Sequence, residues 1–179
     1  MGHKDDKEFA ALSIAVLTVS DTRNESTDSS GQLLISRLTD KGHQLAERKI
    51  VKDDIYQIRA VVSQWIASDA VQVILITGGT GFTARDSTPE AVEPLFDKEI
   101  KGFGELFRQL SLEEIGTSTV QSRAVAGMAN RTVIFCMPGS TNACKTAWDR
   151  IIDSQLDASH KPCNFYNVLK TIKRQSEES

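Results

Sequence analysis

Short continuous apolar runs alternate along the chain with segments in which apolar residues recur every three or four positions. The continuous runs predict buried strands, and the recurring spacing predicts amphipathic helices. The predicted strands are residues 13–20, 45–51, 71–77, 125–129 and 132–137. The predicted helices are residues 30–41, 54–68, 105–114 and 141–154, and a further helix begins at Thr88-Pro89-Glu90. Residues 155–179 lose the periodicity, and we expect the last part of this segment to be mobile.

Strands that alternate with helices at this spacing are typical of an α/β domain. We therefore predict a three-layer, doubly wound, mostly parallel sheet with helices on both faces. The chain has 179 residues, which suits a single domain, and it contains no internal repeat or linker. The domain is predicted at residues 12–170, between a flexible N-terminal segment at 1–11 and a mobile C-terminal tail at 171–179.

Composition narrows the classes of function. The net charge is −3, and only short basic patches occur, whereas nucleic-acid binding requires clustered Lys and Arg. No segment approaches the roughly 20 apolar residues of a membrane helix, and the N-terminus has no apolar signal-peptide region. We expect a cytoplasmic protein with no nucleic-acid or membrane partner.

The cysteines and histidines do not suggest a metal centre or a covalent nucleophile. Cys136, Cys144 and Cys163 are an odd number without C-x-x-C spacing, so we expect reduced thiols. Cys136 lies in an apolar run and is interpreted as a packing residue. The histidines have no partner at metal-ligand spacing, which argues against a histidine base.

The strongest candidate for chemistry is the segment ILITGGTGFTARDSTPEAV at residues 74–92. Here an apolar strand runs into a glycine-rich turn, which an arginine, an aspartate and a helix start follow. Such glycines let a ligand approach the backbone, whose N–H groups can bind an anion. Arg85 offers a forked cation, and Asp86 offers a carboxylate for a divalent metal. A plain strand-to-helix turn is the alternative.

Polar residues also follow the other predicted strands. Ligands of parallel sheets bind at the carboxyl ends of the strands, so these residues are expected to meet at one edge. Turns favour the same residue types, and this alternative accounts for Ser20, Asp21 and Asp54. It accounts less well for three carboxylates on one edge, those of Asp21, Asp53 and Asp86, because like charges repel unless a cation joins them. Magnesium is a natural candidate for that cation.

Seven segments resemble the MoaB/MogA family of molybdenum cofactor biosynthesis proteins, and they span nearly the whole chain in family order. They are VLTVSDTR at 16–23, DSSG at 28–31, VKDD at 51–54, TGGTGFTARDSTPEAV at 77–92, KGFGELFRQLS at 101–111, SRAVAG at 122–127 and MPGST at 137–141. The resemblance implies a MogA-like molybdopterin-binding fold. For active members it also implies adenylylation of molybdopterin by Mg-ATP, with release of pyrophosphate.

The resemblance assigns roles to individual residues. Asp53 and Asp86 match the catalytic aspartates and would hold magnesium. The nucleotide and molybdopterin would contact Ser20, Asp21, Ser29, Ser30, Thr77, Gly78, Gly79, Thr80, Gly81, Gly102, Phe103, Glu105, Pro138, Gly139 and Ser140. The family also implies a homo-oligomer, a trimer or a homohexamer, and other proteins of the pathway are possible partners.

Some alternatives remain open at the level of sequence. The chain could be a molybdopterin- or nucleotide-binding paralogue with little or no adenylyltransferase activity. A generic nucleotide-binding regulator is disfavoured, because GGTG fits neither the P-loop nor the G-x-G-x-x-G spacing. Arg85 and Arg123 could each be one half of a solvated ion pair. Phe103 and Phe107, four residues apart, are more typical of a packing pair than of a stacking platform.

Overall fold

The computed structural model describes residues 8–177, and it describes side chains as far as residue 171. The predicted mobility of the two ends falls partly outside these residues and stays a prediction. Within the described residues, no helix has the length and apolar character needed to cross a membrane.

A single six-stranded sheet forms the centre of the described chain. Its strands are β1 (Ser13–Val19), β2 (Gln44–Val51), β3 (Val73–Thr77), β4 (Lys98–Glu99), β5 (Val125–Ala129) and β6 (Thr132–Met137). They lie in the order β2-β1-β3-β6-β5-β4. β2, β1, β3 and β6 run parallel to one another. β5 runs antiparallel to β6, and β4 runs antiparallel to β5 at the edge of the sheet. The predicted mostly parallel sheet is therefore confirmed.

Among the described residues, the first four α-helices follow β1 to β4 in turn, and the remaining three helices follow β6. A 3-10 turn, Gly116–Gln121, extends the fourth helix, and a π-helical turn, Trp148–Ile152, joins the fifth helix to the sixth. The α-helices are α1 (Ser29–Lys41), α2 (Ile55–Ala67), α3 (Thr88–Val92), α4 (Lys101–Ile115), α5 (Thr141–Ala147), α6 (Asp153–Leu156) and α7 (Phe165–Glu177).

Two buried clusters, one on each face of the sheet, form the core. Alternate side chains of a strand point to opposite faces, so each central strand contributes to both clusters. One face packs against α1, α4, α5 and α7, with Leu34, Phe107 and Trp148 among the buried residues. The other face packs against α2, through residues such as Ile58 and Trp65, and against α3. The three-layer arrangement with helices on both faces is thus confirmed.

The strand register brings the carboxyl ends of the central strands to one edge. Thr77 is the register partner of Thr18 on one side and of Met137 on the other. Val19, the last residue of β1, pairs with Val51, the last residue of β2. The segments that follow β1, β2, β3 and β6 therefore leave the sheet side by side, at the edge where the sequence predicts a site.

Candidate functional site

A cleft of about 400 Å³ opens at this edge. Its lining comes from the ends of β1 and β3, the glycine loop (residues 78–86), the segment after β6, and the C-terminal end of α4 with its 3-10 turn. The lining residues are Thr18, Val19, Ser20, Arg23, Thr77, Gly78, Gly79, Thr80, Gly81, Asp86, Ile115, Ser118, Gln121, Ser122, Pro138 and Gly139.

The glycine loop needs glycine at its first two positions. Gly78 and Gly79 have φ angles of 102° and 67°, in the left-handed region that side chains disfavour. A Cβ atom on Gly78 would overlap the carbonyl oxygen of Val19, because the loop passes directly over the end of β1. Thr88 fixes the loop from α3: its N–H donates to the Gly79 carbonyl (2.9 Å), and its Oγ1 donates to the Gly78 carbonyl (2.8 Å).

Asp53 lies just behind this loop rather than in the lining of the cleft. It is 8% exposed, and its Oδ1 accepts hydrogen bonds from the backbone N–H (3.0 Å) and the Oγ (2.7 Å) of Ser87. Its Oδ2 faces Gly79, since a Cβ there would lie 2.8 Å away. Burial raises the pKa of Asp53, and repulsion by Asp86 and Asp21 adds to that rise, although the Ser87 bonds offset part of it.

Asp86 lines the cleft and is held by its own loop. Its Oδ2 accepts hydrogen bonds from the N–H (2.9 Å) and the Oγ1 (2.6 Å) of Thr83. Partial burial opposes ionisation of Asp86, but the bonds from Thr83 and from the Gly81 backbone, with the charge of Arg123, outweigh it and lower the pKa. Asp86 therefore presents an ionised carboxylate at neutral pH.

Asp21 lies shortly after the end of β1, and it pairs with Arg85 near the C-terminal end of the glycine loop. Arg85 donates to it through a fork, with Nε 2.9 Å from Oδ2 and Nη2 2.7 Å from Oδ1. The bonds from Arg85 are the main reason that the pKa of Asp21 is lowered. Asp21 Oδ1 also accepts from the backbone N–H of Asp53 (3.1 Å). The three carboxylates meet as the strand-end argument predicts, and Asp53 is the one whose charge is least compensated.

These carboxylates suit a magnesium ion that is shared with a phosphorylated ligand. Within residues 8–177, no group of three or more acidic, histidine or cysteine side chains could hold a metal ion alone. Magnesium sites commonly use one or two carboxylates and complete the shell with water and substrate phosphates. Asp53 and Asp86 offer such oxygens. Burial, and then repulsion by Asp86 and Asp21, raise the pKa of Asp53, and a cation beside its carboxylate would offset both effects.

The serines near α1 fix the opposite wall of the cleft. Ser30 Oγ donates to the Gly139 carbonyl (2.7 Å), and Ser29 Oγ lies 2.9 Å from Thr141 Oγ1. Ser140 caps α5 by accepting from the Ala143 N–H (3.1 Å). These contacts join the start of α1 to the segment after β6, so Ser29, Ser30 and Ser140 shape the wall through bonds within the protein.

The start of α1 is itself locked by a buried carboxylate. Asp28 Oδ1 accepts from the Gly31 N–H (2.9 Å), and its Oδ2 accepts from Thr18 Oγ1 (2.7 Å) and Arg48 Nη2 (3.0 Å). Because Thr18 belongs to β1 and Arg48 to β2, the helix starts at a fixed position beside the cleft.

The structure brings most of the predicted binding residues together, but three of them lie elsewhere. Gly102, Phe103 and Glu105 are on the first turns of α4. Phe103 is 2% exposed and packs edge-on against Phe135, with ring centroids 5.1 Å apart, which agrees with the packing interpretation. Glu105 lines a separate cavity of about 190 Å³ with Arg108.

Several residues of the cleft were not among the sequence candidates. Arg23 follows β1 within the segment VLTVSDTR, so the strand-end argument could have included it. Its Nη1 donates to the Thr27 carbonyl (2.8 Å) and to Ser29 Oγ (3.0 Å). Ile115 and Ser122 lie near the end of α4 and beyond its 3-10 turn, and no strand precedes them that could have signalled their position. Ile115 and Ser122, together with Pro138, also line an adjoining cavity of about 100 Å³.

Known proteins resemble both the sequence and the fold. A family described as "Probable molybdopterin binding domain" matches residues 15–158. Molybdenum cofactor biosynthesis protein B of Escherichia coli K12 is 61% identical over 163 residues, which cover 91% of this chain and 96% of that protein.

Solved structures give the same result. A crystal structure of a molybdenum cofactor biosynthesis protein B has a TM-score of 0.84 at 43% identity, covering 93% of this chain and 98% of the other. The tungsten cofactor synthesizing protein MoaB from Pyrococcus furiosus has a TM-score of 0.75 at 39% identity, covering 90% and 97%. The chain therefore belongs to the MoaB/MogA family of molybdenum cofactor biosynthesis proteins.

Proposed function

We propose that this protein binds molybdopterin and adenylylates it with Mg-ATP, releasing pyrophosphate. The observation that carries the proposal is the meeting of Asp53 and Asp86 at a glycine loop that borders an open cleft. The relatives are named for molybdenum or tungsten cofactor synthesis, which supports a pterin as the substrate.

The reaction needs no covalent nucleophile on the protein. An oxygen of the terminal phosphate of molybdopterin would form a bond to the α-phosphorus of ATP. The bond from that phosphorus to the oxygen bridging to the β-phosphate would break, and pyrophosphate would leave with the electron pair. In such transfers, catalysis comes mainly from positioning the reactants and from neutralising charge.

The thiols near the cleft are unsuited to act as nucleophiles. Cys144 is buried beneath Thr77, with its Sγ 3.1 Å from Thr77 Oγ1, and burial raises its pKa to about 11. Cys136 is fully buried in β6, and burial raises its pKa as well. A direct transfer between the two bound substrates is consistent with these surroundings.

The chain's own groups would bind and orient the two phosphorylated substrates. Gly78, Gly79 and Gly81 have no side chains to keep a phosphate from the backbone, so loop amides that are not already bonded within the protein could donate to phosphate oxygens. Arg23 lines the wall opposite, where a guanidinium suits a phosphate or another anion. The adjoining cavity, bordered by Glu114 and Asn142, gives the cleft a second compartment for a planar ring.

Asp53 and Asp86 are the residues that would hold magnesium. When bound, the ion would supply charge neutralisation to the phosphate oxygens. Burial and neighbouring charges already make Asp53 costly to ionise in the free protein, so a cation has a physical reason to bind there.

The proposal includes self-association, as a trimer or a homohexamer. Leu112 and Val120, on α4 and its 3-10 turn, are 51% and 75% exposed, and apolar side chains at this end of the molecule are available for a partner surface. Other proteins of the molybdenum cofactor pathway are further candidate partners.

The test is an incubation of the pure protein with molybdopterin and ATP, with and without magnesium. We expect adenylylated molybdopterin and pyrophosphate in equal amounts, and only when magnesium is present. Stoichiometric binding of molybdopterin without product would instead identify a binding paralogue that has no adenylyltransferase activity. ATP binding with no affinity for molybdopterin would favour a nucleotide-binding regulator.

A further inference from the structure

A single guanidinium holds the outer part of the glycine loop. Arg123 lies just before β5, and its Nε donates to the carbonyl oxygens of Gly81 (2.9 Å) and Thr80 (3.3 Å). Its Nη2 donates to the backbone carbonyl of Asp86 (3.3 Å). Its Nη1 pairs with the carboxylate of Glu90 in α3. Arg123 therefore contacts the glycine loop near its beginning and at its end, and it also contacts α3, the helix that follows the loop.

The peptide between Thr80 and Gly81 is held from both sides. In a trans peptide the C=O and N–H groups point in opposite directions. The carbonyl of this peptide accepts from Arg123 (3.3 Å), and the backbone of Gly81 lies on the side of the Asp86 carboxylate, where it helps to lower the pKa of Asp86. Arg123 thus acts on Asp86 in two ways, directly through its backbone carbonyl and indirectly through this peptide.

The surroundings of Arg123 differ from those of a solvated ion pair. Its side chain is 22% exposed, whereas the side chain of Arg85, on the other side of the loop, is 62% exposed. The ring of Phe82 covers the guanidinium, with its centroid 5.1 Å from Cζ. A solvated ion pair would involve Glu90 alone, whereas this partly buried guanidinium also donates to three backbone carbonyls of the glycine loop.

We propose that Arg123 is a positioning residue, which holds the Thr80–Gly81 peptide and the backbone of Asp86 so that the Asp86 carboxylate faces the cleft. The effect on turnover rests on the proposed adenylylation. The effect on the loop does not, because the contacts are present in the free protein.

The first test is Arg123→Met, which keeps much of the side-chain length and removes every donor. We expect the Gly81 and Thr83 amides to exchange with solvent about tenfold faster, because charged hydrogen bonds to the loop are lost. We expect kcat for adenylylation to fall about a hundredfold, the scale of a small misplacement of a reacting group. The KM for molybdopterin should change much less, because the wall at Ser30 and Gly139 is untouched.

Two further variants control this result. Arg123→Lys keeps the charge but not the planar fork, so it should restore part of kcat. Arg131→Met removes an arginine that also pairs with a carboxylate, that of Asp69, but in the turn between β5 and β6. It should change neither loop exchange nor kcat. If Arg123→Met does not fold, Glu90→Gln removes only the carboxylate that holds Nη1 and should accelerate Gly81 exchange in the same direction.

The outcomes separate this inference from the proposed function. Unchanged loop exchange in the folded Arg123→Met variant, or in Glu90→Gln when it is the substitute, overturns the positioning role. Faster exchange with a wild-type kcat also overturns it. Faster exchange in a protein whose wild type makes no adenylylated product supports the loop contacts and instead overturns the proposed adenylylation.

Discussion

Neighbouring aspartates at the cleft differ because their surroundings differ. Asp21 has a forked arginine, and Asp86 has loop donors, so the pKa of each is lowered. Asp53 is more buried and faces both of these charges, so its pKa is raised. Sequence places the three carboxylates at one edge, but it could not reveal this difference, which depends on side chains such as Ser87 and Arg85 that the fold brings close.

The raised pKa of Asp53 predicts a stability effect of Asp53→Asn. A carboxyl whose pKa is higher in the folded state favours folding while it is protonated, and that contribution is lost as the pH rises through the folded pKa. At pH 7 the ionised Asp53 therefore opposes folding. We expect Asp53→Asn, which retains an oxygen for Ser87, to melt at a higher temperature than wild type at pH 7 without magnesium.

The gain should shrink as the pH falls towards the pKa of Asp53, where the wild-type carboxyl becomes protonated. The neighbouring substitution Asp54→Asn is the control, because asparagine caps a helix as well as aspartate does, and it should give no increase. Thermal melting by circular dichroism measures both variants. A lower melting temperature for Asp53→Asn at pH 7 would contradict this prediction.

Asp86→Asn should separate binding from turnover. The amide keeps the size of the side chain and an acceptor for Thr83, but it removes the charge that would help hold magnesium. We expect product formation to fall by about a thousandfold, a loss typical of one electrostatic group in a preorganised site. Molybdopterin binding should stay measurable by calorimetry. Wild-type turnover in this variant would remove Asp86 from the mechanism.

The elements of this fold differ in how clearly the sequence announces them. β1, β3 and β6 are continuous apolar runs that are buried on both faces, and each was predicted within two residues of its observed ends. β4 is a two-residue edge strand, Lys98–Glu99, whose exposed charged side chains give no apolar signal. It forms only because its backbone pairs with β5.

Two helices show why apolar periodicity alone does not predict every helix or where a helix begins. α4 begins at Lys101, four residues before the prediction, because Gly102 and Gly104 interrupt the apolar pattern of its first turns. α7 was not predicted, although Phe165 and Leu169 stand four positions apart and pack on the core. Phe165 lies against Phe135, with centroids 6.2 Å apart, so tertiary packing supplies a partner that the local sequence does not display.

The need for glycine in the glycine loop can be tested by comparing Gly78 with Gly102 in α4, because the two should respond to alanine in opposite ways. Gly78→Ala puts a Cβ against the Val19 carbonyl at a positive φ, and we expect it to destabilise the protein by about 3 kcal/mol. Gly102 is in α4, and a Cβ there would meet nothing within 4 Å. Gly102→Ala should stabilise by about 0.5–1 kcal/mol.

Urea unfolding of both variants measures these changes. Equal stability of Gly78→Ala and wild type would show that the loop does not require the positive φ. A destabilised Gly102→Ala would show that the α4 glycine has a role beyond the contacts described.

At the scale of the whole molecule, exposed apolar side chains at the end of α4 predict self-association. We expect light scattering to give a mass that is a multiple of the monomer mass. Val120→Asp should lower that mass, because a charge replaces a 75% exposed apolar side chain. Tyr56→Asp, which alters a 73% exposed residue on α2, is the control and should leave the mass unchanged. A monomeric wild type would contradict this prediction.

The whole fold also explains which part of the site was predictable. The residues after β1, β2, β3 and β6 meet because parallel strands share an edge, which is a general rule. The wall formed by Ile115 and Ser122 depends on where α4 ends relative to the sheet, and no local pattern encodes that position. Gly102 and Glu105 were assigned to the pocket by resemblance, and in the structure they lie outside the cleft.

The most direct test of the account is the fate of the α-phosphate of ATP. The purified protein is incubated with magnesium, molybdopterin and ATP labelled at the α-phosphorus, and the labelled compounds are separated. We predict that label appears in molybdopterin, one equivalent for each pyrophosphate released. Label that stays entirely in nucleotides while molybdopterin is bound would contradict the claim that this cleft joins the two substrates.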